Sequence, residues 1–174
     1  MATVRRIWCC RVCYKPMQRL DARDLAILRT LCTEGRISKT DLAARVGLSP
    51  TPCWERLAKL ERAGVIQGYG AQVALRAIGP HVVIFATVEL DGHRAEDFRR
   101  FEAAMQRLPE VTGVWALGGG FDYLVQVITR DIDSYQRMID GLLEEEIGLA
   151  RYYTYIVTKS VKSAPPPLDF LAGL

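Results

Sequence analysis

The sequence predicts an α+β protein in which three short helices precede a β-α-β-β-α-β domain. Between residues 20 and 66, apolar residues recur at helical spacing in three segments separated by short turns. After residue 80, runs typical of strands alternate with two amphipathic helices. With 174 residues, the chain is long enough for one domain or two small ones.

Capping residues mark the ends of the first two helices. Asp21 can accept hydrogen bonds from the first N–H groups of a helix, and Gly35 follows that helix. Ser38 has the same position before a second helix, and Asp41 stands where a capping box usually has Glu or Gln. Gly47 fits the left-handed position that closes a helix, so the second helix is expected to end there.

A third helix is predicted over SPTPCWERLAKLER, residues 49–62. Ser49 is its expected N-cap, and Pro50 and Pro52 remove N–H groups that have no acceptor in the first turn of a helix. Its apolar face consists of Cys53, Leu57 and Leu60. The other sides carry a donor-rich set of exposed residues: Thr51, Trp54, Glu55, Lys59 and Arg62.

The short connection between the second and third helices is typical of a helix-turn-helix, in a three-helix or winged form. In that motif the second helix enters the major groove of DNA, and its N-terminal residues contact base edges. The alternative is an ordinary three-helix bundle with a solvated face. Such a bundle explains the charges but not the Ser-Pro start, so DNA binding is the favoured interpretation.

Four strands and two helices are predicted after residue 80. The strands are 81–90, 111–117, 121–129 and 151–160, and the helices are 93–108 and one that begins at Asp131. The inward residues of that last helix are expected to be Ile132, Tyr135, Ile139, Leu142 and Leu143. This order is that of a ferredoxin-like fold, with both helices on one face of an antiparallel sheet. Residues 65–75 are predicted as one or two further short strands.

The other face of such a sheet would expose apolar residues unless something covers it. Strands as apolar as HVVIFATVEL, residues 81–90, indicate that a second copy of the chain packs there. A homodimer is therefore expected, and it would place two helix-turn-helix units on two DNA half-sites.

Charge and hydropathy narrow the class of protein. The formal net charge is +3, with five basic residues and no acidic one in residues 1–19 and an acidic excess after residue 66. This balance alone does not establish nucleic-acid binding. No apolar run reaches the ~18 residues of a membrane helix, and residues 1–19 lack the apolar core of a signal peptide, so a cytoplasmic protein is expected.

The cysteines near the start of the chain raise a separate possibility. Cys9, Cys10 and Cys13 form a CCxxC cluster that could bind metal or act in redox chemistry. No second ligand pair lies nearby, whereas a structural zinc site takes four ligands, so no metal or cofactor is expected. The favoured interpretation is a basic, disordered extension, with Met17 as a candidate start.

Together these segments resemble the Lrp/AsnC family, the feast/famine regulators of bacteria and archaea. The resemblance runs from about Leu20 to Lys162, through LDARDLAIL, GRISKTDLAARVGLSPTPCWERLAKLERAGVIQGY, LPEVTGVWALGGGFDYLVQV and YTYIVTKSVK. It implies a transcription regulator with a DNA-binding domain and a ligand-sensing RAM domain. It also implies a homodimer, assembled further into tetramers or octamers, that senses a small amino acid or related metabolite.

The expected domain organisation follows from the same comparison. It comprises an extension (1–19), the helix-turn-helix domain (20–66), a strand and hinge linker (67–80), the RAM domain (81–162) and a tail (163–174). In the tail, Phe170 and Leu171 could form a small anchor.

The resemblance implies two groups of residues that contact double-stranded DNA. The group on the third helix is Ser49, Thr51, Trp54, Arg56, Lys59 and Arg62. The group at the start of the second helix, expected to contact phosphates, is Ser38, Lys39 and Thr40. The alternative for Arg56 is an ion pair with an acidic residue inside the domain.

The resemblance also implies an effector site around the turn GGGFDY. Gly118, Gly119 and Gly120 would let the backbone approach a ligand carboxylate, and Asp122 would bind its ammonium group. The alternative is a flexible hairpin that Asp122 caps. Trp115 could wall the pocket, or it could be a core residue.

Other readings stay open at this point. Within the family, PCW…RL and PEV…W…DY resemble both cysteine-responsive regulators and regulators of ectoine breakdown, and the ending RYYTYIVTK resembles the second subgroup more. Diaminobutyrate and cysteine are therefore candidate effectors. Tetrapyrrole decarboxylases share the family's domains, but they need basic and histidine groups, and only His81 and His93 are present. No catalytic residue set stands out. A thiol sensor would use the cysteine cluster of residues 9–13.

Overall fold

The computed structural model describes residues 20–173, which form six α-helices and one four-stranded sheet. The helices are α1 (Ala22–Thr33), α2 (Lys39–Arg45), α3 (Pro50–Arg62), α4 (Ala95–Arg107), α5 (Ile132–Glu144) and α6 (Leu168–Leu171). The strands are β1 (Val82–Leu90), β2 (Val111–Ala116), β3 (Tyr123–Thr129) and β4 (Leu149–Ile156). The chain divides into two units: up to residue 72 together with 163–174, and 73–162.

The helices of the first unit begin and end where their capping residues predict. Asp21 accepts hydrogen bonds from the N–H groups of Arg23 and Asp24, and the Asp24 side chain completes a capping box. The Ser38 hydroxyl accepts a hydrogen bond from the Asp41 N–H at the start of α2. Ser49 has the extended backbone of an N-cap, but its side chain makes no capping hydrogen bond. Its hydroxyl is therefore free for another partner.

The core of this unit lies where the three helices meet. Its buried members come from all three helices: Ile27, Leu28, Leu42, Ala43, Cys53, Leu57 and Leu60. The predicted apolar face of α3 is therefore confirmed. Burial of this face leaves the opposite side of α3 exposed.

Replacing Gly47 by alanine is expected to destabilise the first unit by about 1 kcal/mol, because residue 47 has a φ of 65° and a side chain is strained there. The measurement is urea unfolding followed by helical circular dichroism. The control is Gly35→Ala, at a glycine outside the left-handed region whose nearest neighbour to an added Cβ lies at 3.8 Å. Equal losses in the two variants would contradict the assignment.

The second unit is the predicted antiparallel sheet with two helices on one face. The strand order is β2-β3-β1-β4, and all three neighbouring pairs are antiparallel. Alternate residues of β1 and β3 are buried, and α4 and α5 pack on that side through Phe101, Met105 and Ile139. Alternation places the remaining strand residues on a second, helix-free face.

That helix-free face carries large side chains across all four strands. The register aligns Trp115 with Leu124, Leu124 with Thr87, and Thr87 with Tyr153. A second row aligns Gln126, Phe85 and Tyr155. We call the seven residues of these two rows the sheet face. Its outer aromatic residues are exposed: Trp115 by 41%, Tyr153 by 44% and Tyr155 by 53%.

Three details of the sequence prediction are wrong, apart from shifts of one or two residues at the ends of other elements. Residues 65–75 form no strand, since a strand needs a neighbour and the described chain offers none there; only a 3-10 turn follows, at Leu75–Ala77. The last strand spans Leu149–Ile156 rather than 151–160. It begins earlier because Leu149 pairs with Leu90, the last residue of β1. It ends earlier because its last hydrogen bond to β1 joins the Val157 N–H to the Val83 carbonyl. Ile132 and Leu143 are exposed rather than inward.

Further predictions concern the N-terminal extension, metal binding and membrane-spanning helices. The extension 1–19, its cysteine cluster and Met17 lie outside the described residues. Within residues 20–173, no group of three His, Cys, Asp or Glu side chains could hold a metal ion. In the same part of the chain, no helix is long and apolar enough to cross a membrane.

Candidate DNA interface and effector site

The exposed side of α3 carries the polar set that the sequence predicts. Five of its six expected DNA-contacting residues are exposed: Ser49, Thr51, Trp54, Lys59 and Arg62. Arg62 also donates to the Ala58 carbonyl within the helix, at 3.2 Å. A rigid helix that presents hydroxyl, indole and cationic groups on one side can contact both base edges and phosphates.

Trp54 and Lys39 join the two helices of the motif. The Lys39 ammonium lies 3.4 Å from the centre of the Trp54 ring, which is a cation–π distance. Trp54 is 43% exposed, so the pair lies on the surface rather than in the core. The stacked pair places a positive charge beside the N-terminal half of α3.

The start of α2 is only partly available to a phosphate. Lys39 and Thr40 are exposed, and the first N–H groups of a helix have no acceptor within it. The Ser38 hydroxyl, however, donates to the Asp41 carboxylate at 2.6 Å while it caps the helix. A phosphate contact from Ser38 would therefore compete with the cap, and Lys39 is the stronger candidate.

Arg56 is used inside the domain. Its guanidinium donates to the carboxylates of Asp21 and, at 2.8 Å, Asp24, at the start of α1. These hydrogen bonds, that to Asp21 first, raise the pKa of Arg56. The alternative that the sequence left open for Arg56 therefore describes its position, and we leave Arg56 out of the DNA-contacting set.

The three glycines of the effector turn have no structural reason within the chain. None of Gly118, Gly119 and Gly120 has a left-handed backbone, and a Cβ added to any of them would meet nothing within 4 Å. Elsewhere the chain does require glycine: Gly47 for its positive φ, and Gly113 because a Cβ would lie 2.3 Å from the Trp115 ring. Packing and backbone conformation within the described residues therefore do not account for the three glycines of this exposed turn.

Asp122 holds the hairpin to the end of β1. Its carboxylate accepts a hydrogen bond from the Leu90 N–H at 2.8 Å, and its other oxygen lies 3.3 Å from His93 Nε2. Its backbone also bonds to Val88 and Leu117. This is the capping role that the sequence left as the alternative, and a ligand would have to share the second carboxylate oxygen with His93.

Trp115 lies on the sheet face and not in the core. Two open cavities of the second unit, of about 690 Å³ and 620 Å³, lie elsewhere, and neither is lined by the five predicted effector residues. The first lies between the start of α4 and the end of α5, and the second between the ends of β1 and β4 nearest residues 79–83. The predicted effector residues therefore lie outside these two cavities.

Comparison with known proteins agrees with both halves of this description. Residues 20–67 match a winged helix-turn-helix DNA-binding family, and residues 83–167 match the Lrp/AsnC ligand binding domain. The transcriptional regulatory protein DoeX of Halomonas elongata is 49% identical over 156 residues, which cover 88% of this chain and 99% of that protein. The chain belongs to the Lrp/AsnC family.

Further Lrp/AsnC proteins align over most of their length. The leucine-responsive regulatory protein of Salmonella typhimurium is 37% identical over 150 residues, covering 86% of this chain and 92% of that one. A transcriptional regulator of Neisseria meningitidis was solved as a complex with L-methionine and is 30% identical, with a TM-score of 0.82. The match covers 88% of this chain and 99% of that one. This chain is accordingly a transcriptional regulator with a DNA-binding and a ligand-binding domain.

Two contacts in this Lrp/AsnC chain escaped the sequence analysis. His93 and Asp122 are far apart in the sequence, and no periodicity links them. The Lys39–Trp54 contact depends on the angle between α2 and α3, which spacing within either helix does not reveal. Only the pairing of Arg56 had a sequence signal, as the usual alternative for a single helical arginine.

Acid is expected to loosen the DNA-binding unit of this Lrp/AsnC chain through Asp21. The Asp24 N–H and the Arg56 guanidinium lower the pKa of Asp21, although burial opposes them. A lowered folded-state pKa adds stability above the ordinary value near 4, and this is lost as pH falls through the lower folded value. The effect is small, about 1 kcal/mol or less, because Asp21 is half exposed.

Melting of the helical signal between pH 5 and pH 2.5, in ~0.5-unit steps, measures this effect. Asp21→Asn should lower the melting temperature at pH 5 and show a smaller further loss in acid. Glu55→Gln, at an exposed residue of α3, is the control and should keep the full acid loss. A full acid loss in Asp21→Asn would contradict the role of Asp21.

Proposed function

We propose that this regulator binds double-stranded DNA as a homodimer through α2 and α3, and that a small amino acid bound at the turn 118–120 changes this binding. The observation that carries the effector site is the bare turn, where neither backbone conformation nor packing within the chain requires three glycines. A second copy of the chain would complete the site, because residues 118–120 are exposed in a single chain. It acts in the cytoplasm, where its DNA is.

The DNA-contacting set consists of the exposed polar residues of the motif. These are Lys39, Thr40, Ser49, Thr51, Trp54, Lys59 and Arg62, with Ser38 as a weaker phosphate contact. Two motifs in a dimer would contact two half-sites about one helical turn of DNA apart. The sheet face supports the dimer, since three exposed aromatic residues on it would otherwise meet water.

The class of effector follows from chemistry and from the relatives. Backbone N–H groups at a bare turn suit a carboxylate, and the Asp122 oxygen that lies beside His93 suits an ammonium group. One relative is named for leucine, and another was solved with L-methionine. The resemblance to the ectoine-breakdown and cysteine-responsive subgroups adds diaminobutyrate and cysteine as candidates. The Halomonas elongata and Salmonella typhimurium relatives are regulators, which supports this function over the tetrapyrrole decarboxylase alternative.

A ligand panel tests the effector site directly. The melting temperature and the assembly size of the full chain are measured with leucine, methionine, cysteine, diaminobutyrate and the other amino acids. One compound should raise the melting temperature and shift the balance among dimer, tetramer and octamer. Because a Cβ at residue 119 meets nothing in the chain, Gly119→Ala should fold with unchanged stability and lose this response. A response that survives in Gly119→Ala would place the ligand elsewhere.

A further inference from the structure

The end of the described chain returns to the DNA-binding unit. Residues 163–174 group with the three-helix unit, although β4 and residues up to 162 belong to the sheet unit. The four-residue helix α6 packs against α1. The chain therefore connects the two units twice, once before residue 73 and once after residue 162.

The contact between α6 and the three-helix unit is small and specific. Leu168 packs against the core cluster of the unit, and Arg29 of α1 donates to the Asp169 carboxylate at 3.0 Å. Phe170 and Leu171 are exposed by 80% and 70%, so the anchor uses Leu168 and Asp169 rather than the two residues that the sequence suggested.

The connector that leads to this contact is stiff. Residues 164–167 read Ala-Pro-Pro-Pro, and each proline ring fixes its own φ, so this segment has little freedom. The segment ends in a tight turn at Pro167, where the Leu168 N–H donates to the Pro166 carbonyl at 2.9 Å. Such a connector limits how freely the chain between residue 162 and Leu168 can move. A displacement of residue 162 can therefore be passed along it to α1.

The contact is also weak enough to open. Arg29 and Asp169 keep 52% and 44% of their side-chain surface exposed, and ion pairs of this kind add little stability. The second carboxylate oxygen of Asp169 is buried and has no hydrogen-bond partner among the described residues, which opposes docking. A four-residue helix does not hold its shape alone, so α6 should lose its structure when it leaves α1.

We propose that residues 163–173 form a reversible clasp, in which Leu168 and Asp169 fasten the DNA-binding unit to the sheet unit by a second connection. The regulatory role of the clasp rests on the proposed function. With the clasp closed, a change in the ligand-bound sheet unit is transmitted to the helix-turn-helix through both connections, the one before residue 73 and the one after residue 162. With the clasp open, only the first connection remains and the effect of the ligand on DNA affinity shrinks.

Hydrogen exchange of the full chain tests whether the clasp exists. The reporters are the Leu171 and Ala172 amides, which donate to Pro167 and Leu168 carbonyls only while α6 is formed. Leu168→Ala, Asp169→Arg and Arg29→Asp should each speed their exchange by about three- to tenfold, relative to amides in the sheet. The double variant Arg29→Asp with Asp169→Arg should recover protection. Phe170→Ala, at an exposed residue, is the matched control and should match the unchanged protein.

Two results would overturn the clasp. The first is unchanged exchange in all three single variants. The second is unchanged exchange in Leu168→Ala combined with no recovery of protection in the double variant. The second readout is the ratio of DNA affinities without and with the effector. This ratio should fall about threefold or more toward one in the open variants and recover in the double variant, a change within the usual range of allosteric coupling.

The two readouts separate the possible failures. Faster exchange with an unchanged affinity ratio would overturn the regulatory role and leave a purely structural contact. If no effector changes the DNA affinity of the unmodified protein, the proposed effector response is wrong. The exchange experiment uses neither DNA nor ligand, so it would still show whether the clasp exists.

Discussion

Replacement of Trp54 by alanine is expected to weaken binding to operator DNA by about 10- to 100-fold, on the order of 1–3 kcal/mol. Trp54 is 43% exposed on α3, so its loss removes contact area without opening the core. It also removes the ring over which the Lys39 ammonium lies, and a freed lysine is less well placed for the backbone. The melting temperature should change little.

The measurement is the dissociation constant from fluorescence anisotropy at several salt concentrations. Because tryptophan carries no charge, the salt slope of Trp54→Ala should stay near that of the unmodified protein. Lys59→Ala, which removes one cation from the same helix, should lower the slope by about one. Trp115→Ala is the matched control, since this tryptophan has nearly the same exposure, 41%, in the other unit. Equal losses of DNA affinity in the two tryptophan variants, at protein concentrations that keep the dimer, would contradict the interface.

Replacement of Tyr155 by glutamate should weaken the homodimer by about 30-fold or more, on the order of 2 kcal/mol. Tyr155 is 53% exposed on the sheet face, beside Phe85. In a dimer built on this face, a carboxylate at this position would lose its water without gaining a partner. Binding to a two-half-site operator should fall with it, because one motif alone contacts only half of the site.

Sedimentation equilibrium over a range of protein concentrations measures this effect. Ile132→Glu is the control, since Ile132 is 43% exposed but lies at the start of α5, away from the sheet face. A dimer that survives Tyr155→Glu and dissociates in Ile132→Glu would place the interface on the helical side.

Local signals account for most of the fold that the sequence predicts correctly. Asp21, Ser38 and Gly47 act on backbone groups within four residues of themselves, so their effect is visible in a short window. Strand limits are different, because they depend on a neighbour. Val157 and Thr158 continue the β-branched run of this strand, yet β4 stops at Ile156. The length of β4 is thus a property of its pairing with β1.

The candidate sites divide in the same way. Exposure of Ser49, Thr51 and Lys59 follows from helical spacing, because burial of one face of α3 fixes the opposite one. Spacing does not reveal that Arg56 reaches α1 or that Asp122 reaches Leu90, since both contacts join distant parts of the chain. The sequence therefore predicts which residues are presented, and the structure shows which of them already have partners.

The return of α6 to α1 had no sequence signal of its own. A run of prolines is typical of a linker or tail, and four residues are too few for a helical pattern. Leu168 and Asp169 have partners only in the folded unit, where Leu168 packs against the core cluster and Asp169 accepts from Arg29 of α1.

The most direct test of ligand-responsive DNA binding is fluorescence anisotropy of labelled DNA from upstream of the protein's own gene. The full chain is titrated into it with and without each amino acid of the panel, beside random DNA of equal length. We expect salt-dependent binding that is much tighter than to random DNA, and one compound that shifts the dissociation constant at least fivefold, the lower range of allosteric coupling. Equal affinity for both DNAs, unchanged by every compound, would contradict the account.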